Sequence, residues 1–271
     1  MPTLANVIWG ARCGKPARRV LPGETNSSGH AHSVRGARES AALRQAPHGL
    51  PSSRLVSTNP LDRWLAANYP QVPFERFADD VIAHCRTERQ AQEMRRAIAE
   101  RLQTCGLELH PEKTKIVYCK DDFRKSTYPN EKFDFLGYTF QPRRSKNRKG
   151  KHFINFSPAV SNKAATAIRT AVRSWNLPQR SDKAIEDLSR MFNPIIRGWL
   201  RYYGRYHPSA LYPPMRQLNR ELALWAKRKY KKLRGHLRRA THWIARISRR
   251  APALFASWQM GVRRGSMMGA V

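Results

Sequence analysis

Apolar and polar positions follow three patterns in turn along this chain. Over residues 1 to 58 neither a helical nor a strand period persists. Gly, Ser, Pro, Ala and Arg dominate there, and Trp9 is the only Phe, Trp or Tyr. A segment with so little periodic apolar content cannot offset the entropy of ordering it, so it reads as disordered and without a strand-like apolar run. From Asn59 the pattern changes. Leu61-Asp-Arg-Trp64-Leu65 has helical spacing, and Phe74 to Ala83 alternates about a tight turn, as a β-hairpin does. Thr87, with Gln90 three residues on, caps a long amphipathic helix carrying Met94, Ala97, Ile98 and Leu102, and Gly106 ends it. Leu107 to Leu109, Thr114 to Tyr118 and Phe133 to Phe140 read as three short strands. Strand, helix, strand, strand is the order of an α+β unit with a small antiparallel sheet.

Beyond Ser157 the period is helical throughout. One helix spans Ser161 to Trp175. A second is capped by Ser181 and interrupted or kinked at Asn193-Pro194. A third stretch carries Ile195, Ile196, Trp199, Leu200, Tyr202 and Tyr203. After Pro213-Pro214, helices run from Met215 to Leu233 and from Leu237 to Ser248. The expected organisation is therefore an unassigned segment 1–58, an α+β unit 59–145 and an all-α domain 157–265.

Charge sharpens this picture. The 271 residues hold 51 Lys plus Arg against 19 Asp plus Glu, a formal charge of +32. Residues 157 to 271 alone have 24 bases and 4 acids. A field of one sign and this size favours a polyanion, most simply nucleic acid. No apolar run approaches the roughly 20 residues of a membrane span, so no membrane partner is expected. Cys13, Cys85, Cys105 and Cys119 are widely spaced, and His84, His110, His207, His236 and His242 show no metal-ligand spacing. Neither a zinc site nor a disulfide framework is indicated, and a reducing, cytoplasmic setting is the simple expectation.

The chemistry centres on Asp79 and Asp80, adjacent carboxylates expected in the hairpin turn. Two like charges side by side carry a cost that a divalent cation removes, and carboxylate oxygens are the ligands Mg²⁺ prefers. A solvated turn is the competing reading. Lys113 and Lys115 follow the turn at Pro111, where two solvated lysines beside a strand are the plain reading. The loop from Gln141 to His152 is basic: a phosphate-contacting arm or a solvated loop. Trp199, Tyr202 and Tyr203 share one helical face, for which core packing is expected. Arg197, Arg201 and Arg205, four apart, form their own stripe. With Lys227, Arg228, Lys231, Lys232, Arg238 and Arg239, they have few acidic partners and point to phosphate contact with structured RNA.

These motifs, in order, resemble the C-terminal half of bacterial group II intron reverse transcriptase/maturases. Phe77-Ala-Asp79-Asp80 is similar to the family's metal box. Cys105-Gly-Leu-Glu-Leu-His110-Pro-Glu-Lys113-Thr-Lys115 is similar to the next palm motif. Phe133-Asp-Phe-Leu-Gly137-Tyr-Thr-Phe140 is similar to the segment beside the primer grip, and Arg197-Gly-Trp-Leu-Arg201-Tyr-Tyr-Gly204 to the maturase-specific, or X, domain, which also acts as thumb. The resemblance covers about Asn59 to Gly261. It implies a partial polymerase palm followed by an all-α maturase/thumb domain. It also implies that Asp79 is a Mg²⁺ ligand with Asp80 beside it, that Phe77 packs beneath the turn, and that Lys113 or Lys115 lies near an incoming triphosphate.

The family carries fingers and a first palm aspartate upstream. Residues 1 to 58 hold no aspartate, and the first in the chain is Asp62, at the start of a helix. Relative to the family the chain is therefore read as N-terminally truncated. With one strong ligand left, Mg²⁺ would bind weakly or not at all, and the hairpin would have an exposed edge and a partly uncovered apolar face. The resulting expectation is an RNA-binding maturase/reverse transcriptase fragment that is catalytically incomplete, with group II intron RNA as partner and a DNA target or cDNA as a second. The alternative is an RNA-directed DNA polymerase active with a complementing upstream fragment. A generic basic RNA-binding protein would not carry four such motifs in order.

Overall fold

In the computed structural model, the described residues are Asn59 to Gly261 and, as backbone, Ala5 to Trp9. The α+β unit starts with a surprise. Ala5–Trp9 forms a strand, β1, where the sequence pattern promised none. Val7, Ile8 and Trp9 are β-branched or aromatic, and a run this short is hard to tell from chance in a loop-like context. The rest of the segment read as disordered lies outside the described residues.

Helix α1 (Pro60–Asn68) follows, with Asn59 as N-cap accepting from the Leu61 amide. Strands β2 (Phe74–Phe77) and β3 (Asp80–Cys85) form the expected hairpin. Helix α2 (Glu88–Gln103) is capped by Thr87, and its Gln90 carboxamide returns to the Arg86 amide at 2.7 Å. Gly106, at φ +69°, then reverses the chain. Leu107 to Leu109 does not make a strand of its own, and the next is β4 (Ile116–Tyr118).

The sheet order is β2-β3-β1-β4, with β1 parallel to both β3 and β4. β1 fills the slot that a β3-α2-β4 crossover leaves open. The expected exposed hairpin edge is therefore confined to β2. Val81, Ile82 and Ala83 are buried, so the apolar face of β3 is covered after all. Leu61, Leu65, Val72, Val81, Ala83, Met94, Ile98 and Leu102 make the core under this sheet.

A second sheet is built from β5 (Phe133–Phe135), β6 (Tyr138–Lys146) and β7 (His152–Val160), in that order and all antiparallel. Two sequence expectations change here. Phe133 to Phe140 is not one strand but a hairpin, turned at Leu136-Gly137 with φ of +49° and +76°. Two positive φ values mark the tight turn whose twist matches its strands. The basic loop 141–152 is mostly strand too. The β6–β7 ribbon pairs in register from Tyr138↔Val160 to Lys146↔His152. Phe133, Phe135, Phe140 and Phe156 pack with Ile82 and Val117 to join the two sheets.

The remainder is helical: α3 (Asn162–Ser174), α4 (Ile185–Tyr203), α5 (Tyr212–Lys229), α6 (Leu237–Arg250) and the short α7 (Ala256–Gln259). Each long helix buries one stripe, for example Ile185, Leu188, Phe192 and Ile196 of α4 against Leu211, Leu218, Leu222 and Trp225. Pro194 does not interrupt α4. It sits on the exposed side, where water can take the freed Arg190 carbonyl, while Phe192 and Ile196 hold the helix to the core. Ser181 is not a cap. Its carbonyl, with that of Lys183, accepts from Lys229 Nζ at 2.8 and 2.9 Å. No helix among the described residues is long and apolar enough to cross a membrane.

Candidate nucleic-acid interface

The Asp79–Asp80 box is held from behind. The hairpin loop is Ala78-Asp79, so Asp80 is not in the turn but opens β3, paired with Phe77. Ala78 sits at φ +53°, a conformation that costs a non-glycine residue energy. Arg76 steadies it. Its Nη1 donates to the Ala78 carbonyl at 2.8 Å, while Nε and Nη2 donate to the two carboxylate oxygens of buried Asp62 at 2.5 and 3.0 Å. Asp62 is thus part of the support for the turn and not a third ligand beside the box. Phe77, expected beneath the turn, is 56% exposed, because strand alternation puts it on the open face of an edge strand.

Asp80 faces a cleft of about 690 Å³ between the two sheets and the helical domain. Lys113, Lys115, Lys132, Arg143 and Arg169 line it, against Asp80, Glu112 and Asp134. Partial burial and the Asp79 charge raise the Asp80 carboxyl above its ordinary range, and Lys113 pulls it part of the way back. Burial also lowers the Arg143 guanidinium. Its Nε donates to the Ser157 carbonyl at 3.3 Å and its Nη2 to the Thr139 carbonyl at 3.3 Å. Asp79 does not face this cleft. It borders a separate, more apolar hollow of about 390 Å³ with Arg76, Arg101 and Leu107.

The sequence-derived candidates therefore divide. Asp80, Lys113 and Lys115 come together. Arg143, from the basic 141–152 segment read as a phosphate-contacting arm, joins them, and Lys132 and Arg169, which were not singled out, line the cleft too. Thr139, Gln141 and Arg143 alternate on β6, and Asn162, Ala165 and Arg169 fall on one face of α3. Lys132 immediately precedes the β5 hairpin.

The helical bases lie elsewhere. Arg197 and Arg201 are exposed on α4 and line a shallow hollow with Leu200, Ala256 and Gln259. Arg205 does not continue their stripe: α4 ends at Tyr203, and the Arg205 guanidinium lies over the Tyr206 ring at 5.7 Å. Lys227 and Arg228 end α5, which stops at Lys229. Lys231 and Lys232 follow in a short 3-10 turn, and Arg238 and Arg239 open α6. All six of these except half-buried Lys227 are exposed.

An aromatic joint locks the sheet to the helices. The Tyr202 hydroxyl donates to the Leu136 carbonyl at 2.9 Å, and the Tyr138 hydroxyl donates to the Tyr202 carbonyl. Burial and the neighbouring tyrosines raise the Tyr138 hydroxyl. At Gly137 a Cβ would sit 2.9 Å from the Tyr203 hydroxyl, so this turn needs glycine for space as well as for φ. Trp199 belongs to the core as expected, its ring 5.6 Å from Trp175 and 8° from parallel.

Two family models match the chain. Residues 16–140 match the reverse transcriptase (RNA-dependent DNA polymerase) family, and residues 165–243 match the group II intron maturase-specific domain. The chain belongs to the group II intron reverse transcriptase/maturase family. The first match spans the Asp79–Asp80 box, Lys113 and Lys115. It begins at residue 16, inside the segment for which no resemblance was seen in the sequence. The second spans α4 and every basic helical candidate from Arg197 to Arg239. No curated protein matches the chain.

Reverse transcriptases of this kind use a divalent metal such as Mg²⁺. Among the described residues, no cluster of three or more His, Cys, Asp or Glu could hold one. β1, the strand beside β3, has no acidic residue in its sequence. Asp79 and Asp80 alone do not fit a two-metal centre, which needs a larger carboxylate cluster to bridge both ions.

The raised Asp80 carboxyl has a testable consequence. Its proton is held more tightly in the folded than in the unfolded chain, so stability falls as pH rises through that range and the penalty is complete above it. Asp80→Asn is expected to stabilise the protein at neutral pH by about 0.2–1 kcal/mol, after allowing for solvent screening. Below the ordinary carboxylate range the gain should vanish. Urea denaturation of both proteins at neutral and acid pH checks this.

Proposed function

We propose that this chain is an RNA-binding maturase whose polymerase cleft holds nucleic acid without extending it. The observation that carries the reading is the cleft itself. Lys113, Lys115 and Lys132 from the connecting segments, Arg143 from β6 and Arg169 from α3 converge on one 690 Å³ channel, while its acidic side holds Asp80, Glu112 and Asp134, with no cluster of three metal-holding groups among the described residues. The lysines and arginines suit phosphates, and the exposed bases of α4 to α6 extend the same chemistry over the helical domain. Intron RNA, a structured polyanion recognised through shape and backbone, is the partner this surface fits.

Within this reading the chain's own residues bind and orient. Lys113 lies close enough to Asp80 to stabilise its charge. Arg143, tied to two backbone carbonyls, presents a fixed cation to the channel. The tyrosine joint holds the Leu136-Gly137 turn, and with it the β5–β6 corner of the channel, against α4. A divalent metal would supply activation of a hydroxyl nucleophile, but these residues do not provide the set that positions two ions.

Primer extension on an annealed RNA template, with Mg²⁺ and deoxynucleotides, tests the proposal. The 271-residue chain is expected to retain the RNA and give no extension above background. Template-directed extension that disappears on Asp79→Ala would overturn it and favour the polymerase reading.

A further inference from the structure

Next to the cleft lies a second basic surface that neither family match covers in full. The β6–β7 ribbon runs well past its pairing with β5, which ends at Phe140. Residues 141 to 160 fall between the two matched ranges. From Phe135 to Ser181 the sequence contains no Asp or Glu. Arg144, Lys146, Lys149 and Lys151 are exposed along the ribbon and its tip. A groove of about 350 Å³ follows it, lined by Arg143, Arg144, His152 and Phe153 together with Asp122. That volume lies within the range of small-ligand sites, about 300–1,000 Å³.

Beside Asp122, Phe123 is 97% exposed. A lone exposed aromatic is common, but here the backbone that carries it is fixed. The Asp121 carboxylate accepts from the Phe123 amide at 2.9 Å and from the Arg124 amide at 3.0 Å. Asp122 staples the loop to β7: its carboxylate accepts from the Ile154 amide at 2.9 Å, and its own amide donates to the Ile154 carbonyl at 3.3 Å. Both carboxylates are thus turned to loop and strand amides. The face that remains offers a bare ring, the half-exposed Ile154 and a row of cations.

We infer that this groove and Phe123 form a single-strand site, which takes an unpaired nucleotide with its base stacked on the Phe123 ring and its phosphate against Arg144. Every base has a π face, so an exposed ring beside a basic groove binds single strands with little regard to sequence. Arg143 lines both the cleft and this groove. A strand leaving the channel past Arg143 therefore enters the groove directly. The inference rests on the reading of the cleft as a nucleic-acid channel, and it adds a class of substrate, the unpaired overhang, and a path for it.

The test uses the full chain with two labelled probes: an oligouridylate of about a dozen nucleotides and a blunt RNA duplex, each followed by fluorescence anisotropy. Phe123→Ala should leave the fold intact, since the ring buries almost nothing. It is expected to weaken the single strand about five- to tenfold and the duplex not at all. Phe123→Trp should restore or exceed the original affinity, and Arg144→Gln with Lys146→Gln should flatten the salt slope for the single strand. Unchanged single-strand affinity in Phe123→Ala would overturn the inference and leave the cleft reading in place. Equal weakening of both probes would also overturn it, as would a change in the sedimentation of the free protein, since the ring would then serve a contact between copies. If the unsubstituted chain bound neither probe, the reading of the cleft itself would fall with it.

Discussion

The affinity of this chain for structured RNA is expected to fall about a thousandfold between 50 and 200 mM salt. Each phosphate neutralised by Lys or Arg releases condensed counterions, and about six such contacts give a loss of that size. Arg197, Arg201, Lys231, Lys232, Arg238 and Arg239 are exposed on the helical domain and supply that number. Replacing Arg197, Arg201 and Arg205 together by Gln should reduce the slope of log affinity against log salt by about two units. Two is expected instead of three because Arg205 lies beyond the end of α4, over the Tyr206 ring, and not in line with the other two. Filter binding across a salt series measures the slope. An affinity that hardly changes with salt would show that the bases of α4 to α6 do not contact phosphate.

Trp225→Ala is expected to have the largest effect on the fold, about 3–5 kcal/mol of destabilisation. Trp225 is fully buried in α5, its indole Nε1 donates to the Arg180 carbonyl at 3.0 Å, and its ring meets Tyr230 and Trp243. The substitution opens a cavity and removes one of the two donors to the Arg180 carbonyl, which keeps the Lys183 amide at 3.1 Å, in a protein whose whole stability is expected to be about 5–15 kcal/mol. RNA binding should be lost as the helical domain unfolds, because α3 to α6 share this one core. Trp225→Phe keeps most of the ring but not the donor and should cost less. Urea denaturation followed by circular dichroism gives both values. A midpoint unchanged by Trp225→Ala would mean that the helices are not organised around this residue.

Much of this architecture is legible in the sequence, for identifiable reasons. Helix α2 is visible because Thr87 and Gln90 cap it and Met94, Ile98 and Leu102 keep one period. Helix α3 is visible through Ser161 and the Ala165-Ile168-Val172 stripe. The Asp79–Asp80 hairpin is visible because alternation flanks a tight turn. What escapes depends on partners distant in the chain. β1 is five residues in a Gly- and Arg-rich context, and only its place between β3 and β4 makes it a strand. Pro194 argues against a continuous α4, and the buried contacts of Phe192 and Ile196 override it. Leu136-Gly137 looks like the middle of a strand until Tyr202 and Tyr203, more than sixty residues on, hold it as a turn.

The functional site divides in the same way. Asp80, Lys113 and Lys115 belong to two short, compact motifs that can be read from the sequence, although the motifs lie far apart in the chain. Arg143 and Arg169 belong to the cleft only because β6 and α3 fold over it. Conversely, the helical arginines form a surface of their own, which spacing along a helix could suggest but not place relative to Asp80.

Crosslinking mass spectrometry of the chain with bound structured RNA tests the central claim most directly, since it reports which peptides touch the ligand. The account predicts crosslinks at the cleft, on peptides holding Lys113, Arg143 and Arg169, and on the exposed helical peptides around Arg197, Arg201 and Lys231 to Arg239. Crosslinks confined to residues 1–58, with the cleft and helices untouched, would contradict it.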